Sequence, residues 1–366
     1  MYKERQIQAA ENLRERDVDL AFITADPNVR YLTGMPYGSV LFLFSSGKTV
    51  LLPWDVLLAR QRANAGEILP YNDFGRSLET ALVEITKKEK LKPGATVEVP
   101  SDTGYLSYTR YAEVLSGYSI VCRSGDLSDY LQRRRMVKDS GEIEILRRAC
   151  GATNELIDKV AGGVKEGTLR SEVDVAHFLE DFAFSRGAEG MGFETLAAGP
   201  DRSFGIHAFP ACSISDFGTN GLSILDFGIN VDGYTSDVTL TFVRGKTDSR
   251  QDLMISLVEK AYETAAAMAR PGTGTYSIAR AVDELFEKEG FSMPHSLGHG
   301  IGLEVHENPI LKSKPETDVV LEPGMAFTLE PGLYHADAGG VRLENDFLIT
   351  KSGCEVLTTS RLFRFP

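Results

Sequence analysis

The stretch Ser223–Val243, SILDFGINVDGYTSDVTLTFV, constrains this chain more than any other. Two β-patterned runs flank Asp232-Gly233, and Asp-Gly between such runs is the strongest short-range signal for a tight hairpin. A two-residue turn there sets Val231 opposite Tyr234 and Asp226 opposite Thr239. Asp237 then shares a face with Asp226 as its diagonal neighbour, at about 7–8 Å. Two like charges on a mostly buried face repel and lose hydration, so they need a cation between them. A bulge at the turn would break that parity, and an exposed hairpin would leave both aspartates simply solvated.

At 366 residues the chain has room for two domains and a sizeable core. A net charge of −13 argues against nucleic acid or an anionic membrane as the main partner. Four cysteines, Cys122, Cys150, Cys212 and Cys354, are scattered with no CxxC, which reads as free thiols in a reducing compartment. The polar, helix-patterned start MYKERQIQAAENLRERD is not a secretory signal, and no apolar run approaches a bilayer span. A cytoplasmic protein is expected.

Residues 1–130 read as an α/β domain, a mixed sheet covered by helices. A helix over Lys3–Arg16 leads to a strand at Asp19–Thr24, turn residues Asp26, Pro27 and Asn28, and further strands. The basic run Gln132–Arg135 then enters a long helix as a solvated, salt-bridging face. Residues 131–366 look duplicated. Helix Ser140–Val160, Gly162-Gly163, Gly167-Thr168 and helix Ser171–Ser185 match helix Ser249–Arg270, Pro271-Gly272, Gly274-Thr275 and helix Tyr276–Glu289. Each half ends in β-structure with two carboxylates, Asp226 and Asp237 in the first, Glu330 and Glu344 in the second. Two such halves would enclose a site on their shared axis.

Three of only six histidines, His295, His299 and His306, fall within PHSLGHGIGLEVHENP. Its glycines allow close backbone approach and prevent a helix, and Ser296 stands where a helical zinc-protease motif needs glutamate. Glu330 and Glu344 lie in strand-like apolar surroundings, where an unpaired carboxylate is costly. Arg342 alternates with Glu344 and is placed to pair with it. Four carboxylates and at least one imidazole form a hard, oxygen-rich donor set whose charge matches two divalent ions. Manganese, cobalt or zinc suits it, and two such ions can acidify a shared water.

These residues, set in DFGINVDGYTSD, GHGIGLEVHE, TLEPGLY and GGVRLEN, resemble the ligands of the pita-bread metallopeptidases, most closely the Xaa-Pro aminopeptidase and Xaa-Pro dipeptidase group. The N-terminal part, with NVRYLTG, is similar to that group's creatinase-like domain. The resemblance implies an α+β pita-bread catalytic domain with a pseudo-twofold repeat around two metal ions. It implies that Asp226 binds one metal, Asp237 and Glu344 bridge, and His299 and Glu330 complete the other. It implies Glu330 as general base, His207 and His306 at the scissile carbonyl, His295 in an outer proton network, and Arg342 orienting the carboxylates. It also implies a peptide substrate with proline second, and a homodimer. Leu240, Phe193, Asn345 and Ile206 depart from the family pattern without removing a ligand. The same scaffold also admits a hydrolase or lyase acting on a small non-peptide substrate, or a catalytically silent binding protein.

Overall fold

Leu20–Ile23 is apolar on both faces and wholly buried, as a strand covered from both sides must be. In the computed structural model, which describes residues 1–366, it lies inside a six-stranded sheet. The spatial order is Glu67–Ile68, Thr49–Pro53, Ser39–Phe44, Leu20–Ile23, Thr96–Glu98 and Ser119–Val121. Parallel and antiparallel pairs mix in this sheet. Phe22, Phe42, Val50, Leu82 and Val97 fill its core. Buried Glu98 pairs with Arg16 and accepts the Leu127 N–H at 2.9 Å. These elements belong to a unit spanning Met1–Arg134, and the rest of the chain, Arg135–Pro366, forms a second.

Asp26, Pro27 and Asn28 are not a turn but the first turn of a helix, Asp26–Thr33. Proline fits there because a helix start needs no N–H from it.

In the second unit each half opens on a helix with a capping box, Asp139 with Glu142 and Asp248 with Gln251. A second helix follows in each, Glu172–Ser185 and Thr275–Lys288. An isolated β-bridge marks its start both times, Ser171 to Asp216 and Gly274 to Val320. The first helix runs Ser140–Glu166, straight through Gly162-Gly163, and stops at Gly167 in the left-handed conformation. Buried Val160, Ala161 and Val164 keep its apolar stripe packed across the glycine pair, and tertiary packing outweighs their low helix propensity.

The first half's sheet orders Leu362–Phe365, Val238–Arg244, Gly221–Phe227 and Leu196–Ala198. The second half's orders Glu307–Leu311, Gly298–Gly300, Ala326–Leu329, Asn345–Thr350 and Gly353–Val356. Each packs its helices over its own apolar cluster. No helix is long and apolar enough to cross a membrane.

Arg135 is not on a solvated face. Its side chain is 3% exposed and bonded to Glu304 and Glu307, because the last turn of the helix Leu127–Met136 aims it at those carboxylates.

Candidate metal centre

The hairpin turn at Asp232-Gly233 has φ of 48° and 84°, the two positive values that a type I′ turn requires. Val231 pairs with Tyr234 and Asp226 with Thr239, so one register runs from the turn to the sheet. No bulge intervenes, and the Asp226 and Asp237 carboxyls share a face and meet.

The second half brings its donors from three places. His299 sits mid-strand in Gly298–Gly300. A Cβ on Gly298 would lie 2.0 Å from the Thr328 carbonyl oxygen, and one on Gly300 2.2 Å from that of Asn308. Only glycine lets three backbones press this close around the imidazole. Glu330 directly follows the strand Ala326–Leu329, and Glu344 fills the break between Gly339–Arg342 and Asn345–Thr350. Glu344 N–H donates to Thr239 O at 3.2 Å, which joins the two halves at the site.

All nine residues singled out from the sequence line one cavity of about 330 Å³: His207, Asp226, Asp237, His295, His299, His306, Glu330, Arg342 and Glu344. Ligand atoms of Asp237, His299 and Glu344 lie within 4.8 Å of one another. His299 Nε2 is 3.6 Å from Asp237 Oδ2 and 3.5 Å from Glu330 Oε1, and His295 Nδ1 is 3.6 Å from Glu330 Oε2. His207 and His306 are exposed residues, and the His306 ring centre lies 4.4 Å from that of His299.

Arg342 does not pair with Glu344. The strand break turns Glu344 aside, and the guanidinium reaches Asp226 Oδ2 at 2.6 Å instead. It also donates to Thr239 Oγ1 at 2.9 Å, Tyr334 OH at 2.8 Å and Ile206 O at 3.1 Å. The Thr239 hydroxyl in turn donates to Glu344 Oε2 at 2.7 Å, and Tyr334 OH lies 2.9 Å from His295 Nε2. Asp346 Oδ2 accepts the Asp237 N–H at 3.0 Å. Thr239, Tyr334 and Asp346 thus support the site, although none stood out in the sequence.

Electrostatics shows what the cluster lacks. Burial, then the Glu344 and Asp226 charges, hold Asp237 well above the usual carboxylate range. Burial and Glu344 do the same to Glu330, and burial and Asp226 push Glu344 up to about 7. Burial also holds His299 and His295 down at about 4, so both rings are neutral donors. Asp226 Oδ1, Asp237 Oδ1 and Glu344 Oε1 are buried with no hydrogen-bond partner. Buried carboxylate oxygens are rarely left so, and these fit hard divalent cations.

The departures sort by position. Leu240 is fully buried in the apolar cluster on the opposite strand face. Asn345 turns away, accepting Ser360 N–H at 2.6 Å and donating to Tyr262 OH at 3.0 Å. Phe193 and Ile206 line the cavity itself.

A buried carboxylate–imidazole cluster held by the two halves of a duplicated α+β unit is the arrangement of a metal-dependent enzyme. Metallopeptidase family M24 matches residues 144–351, and the creatinase/prolidase N-terminal domain matches residues 5–137. The chain is 30% identical to an Xaa-Pro dipeptidase of Pyrococcus furiosus over 359 residues, 97% of this chain and 98% of that one. An Xaa-Pro dipeptidase structure from Bacillus anthracis shares its fold at a TM-score of 0.85 and 27% identity, covering 99% of both chains. An X-Pro aminopeptidase structure from Thermotoga maritima does so at 0.81 and 25%, covering 97% of this chain and 99% of its own. The chain belongs to metallopeptidase family M24, in its pita-bread prolidase and aminopeptidase group, and is a divalent-metal-dependent exopeptidase.

Proposed function

We propose that the chain hydrolyses the bond between an N-terminal residue and a following proline, using two divalent ions held by Asp226, Asp237, His299, Glu330 and Glu344. The observation that carries this reading is the set of buried, unpartnered carboxylate oxygens gathered from both halves. Bound there, the ions supply Lewis-acid polarisation of the scissile carbonyl and a water acidified towards neutrality. The hard donor set makes manganese the first choice.

The chain's own groups do the rest. Glu330 lies beside His295 and His299 in the cavity, which suits it to take the water proton and return it to the proline nitrogen. On this reading His207 and His306, which line the cavity, donate to the carbonyl oxygen as charge develops on it. The cavity's carboxylates attract the substrate's free amine. Arg342 and Thr239 hold Asp226 and Glu344 in place. Proline lacks an N–H and has a fixed φ, and apolar Phe193, Leu196, Ile206, Val305 and Ile310 offer its ring a surface.

Substrates that continue past proline fit this cavity better than dipeptides. Arg342 is its one lysine or arginine, and that guanidinium is committed to four partners. A dipeptide's terminal carboxylate would meet carboxylates and apolar walls, where an unpaired charge is costly.

The test strips metal, restores manganese, cobalt or zinc separately, and compares Ala-Pro, Ala-Pro-Ala and Ala-Ala-Ala. Metal-dependent cleavage of Ala-Pro-Ala, faster than of Ala-Pro and far faster than of Ala-Ala-Ala, is expected. Equal turnover of Ala-Ala-Ala, or none with any ion, overturns the proline assignment.

A further inference from the structure

The first residues of the second unit grip the site from two directions. Val137 bridges to Met325, and Lys138 N–H donates to Gly324 O at 2.9 Å. These contacts fix the start of the strand Ala326–Leu329 that delivers Glu330. The side chains of the same segment converge on Glu307. Arg135 donates to its Oε1 from Nε at 3.2 Å and from a terminal nitrogen, and Lys138 Nζ is 3.2 Å from its Oε2.

Arg135, Lys138 and Glu307 side chains are 3%, 1% and 5% exposed. A buried ion cluster is a weak source of stability, because desolvation offsets the attraction. What it supplies here is a single geometry. Glu307 Oε1 also accepts the Glu304 N–H at 3.2 Å, and Arg135 reaches the Glu304 carboxylate at 2.6 Å. The loop from Glu304 to Glu307 is therefore clamped at both ends, and it carries His306. A Cβ on Gly302 would lie 2.6–2.8 Å from the Glu307 carboxyl atoms, so the clamp fits only over a bare backbone.

We propose that Arg135 and Lys138, acting through Glu307, are positioning residues that hold the His306 imidazole over the cavity beside His299. This rests on the role given to His306 above. None of Arg135, Lys138 and Glu307 lines the cavity. It fixes one imidazole relative to the strand that delivers Glu330, and displacement of a catalytic group by about 1 Å costs about 100-fold in rate.

Gly302→Ala tests the clamp without changing any charge, and Arg135→Lys keeps the charge while losing the planar fork. Both are measured in the full-length, manganese-loaded protein on Ala-Pro-Ala beside His306→Ala, with thermal midpoint and metal content checked. We expect Gly302→Ala to lower kcat about 10- to 100-fold with KM within about threefold and metal content unchanged. The loss should vanish in the His306→Ala background, where the imidazole is already gone. In metal-free protein labelled at histidine Cε1, the His306 resonance should move in Gly302→Ala while that of His177 stays. Native kcat in Gly302→Ala, or a loss that multiplies with that of His306→Ala, overturns the proposal. Native kcat in His306→Ala itself would sink the underlying reading instead.

Discussion

Arg342 commits its guanidinium to Asp226, Thr239, Tyr334 and the Ile206 carbonyl. A lysine ammonium is a point charge on a flexible stem and cannot reproduce that planar fork. Arg342→Lys should therefore lower kcat about 10- to 100-fold, an effect on the scale of one lost charge-assisted contact. Metal retention, measured by elemental analysis after dialysis, should fall with it because Asp226 loses its orienting partner. Glu330→Gln has a different signature. It should lower kcat by about 10²–10⁴-fold with folding intact, as loss of a general base does. Near-native activity in that variant would defeat the assignment. Residue type and spacing made eight of the cavity-lining residues legible in the sequence, since carboxylates and histidines in apolar runs need a reason to be there, whereas His207 came only from the family resemblance. Thr239 and Tyr334 were not legible, because a hydroxyl in a β-run carries no signal until register and neighbours are known. Asp346 lies two places after Glu344, but only the fold aims it at the Asp237 N–H.

At the scale of elements, site and stability separate. Gly298→Ala would drive a Cβ into the Thr328 carbonyl and wedge the His299 strand from the strand that leads to Glu330. Reduced manganese affinity by titration calorimetry and reduced kcat are expected together. Asp139→Ala removes the capping box of helix Ser140–Glu166 and should cost about 1 kcal/mol. For a unit of this size that lowers the thermal midpoint by about 2–4 °C, with kcat per folded molecule unchanged. Element order and the Asp-Gly hairpin could be read directly, because apolar period and turn chemistry agree there. Asp26-Pro27-Asn28 and Gly162-Gly163 misled for opposite reasons. Proline is at home in a first helical turn, and packing on Val160 and Val164 carries a helix past two poor formers. Arg135 looked solvated because three adjacent arginines say nothing about which one turns inward.

For the molecule as a whole, the site couples fold stability to pH and metal. In the metal-free protein Glu344 is pushed from 4.5 up to about 7, and Asp237 and Glu330 lie well above their usual ranges. The folded form then holds more protons than the unfolded one, so these groups lose stability as pH rises. His295 and His299, lowered from 6.5 to about 4, act oppositely between those two values and contribute no slope above 6.5. Calorimetry in chelator should accordingly show the thermal midpoint falling from pH 6.5 to 8.5, and manganese should abolish that fall. A chelated protein whose midpoint rises over this range would contradict the buried-carboxylate account.

The contacts between Thr239 and Glu344, and between Thr241 and Arg342, cross from one half of the second unit to the other. The strand Leu362–Phe365 likewise pairs with Val238–Arg244 of the first half. Neither half carries a whole site, so a gene cut between Lys246 and Thr247 should yield two polypeptides that are inert apart. Mixed, they should regain turnover as a bimolecular event, with recovery rates that double when either fragment's concentration is doubled.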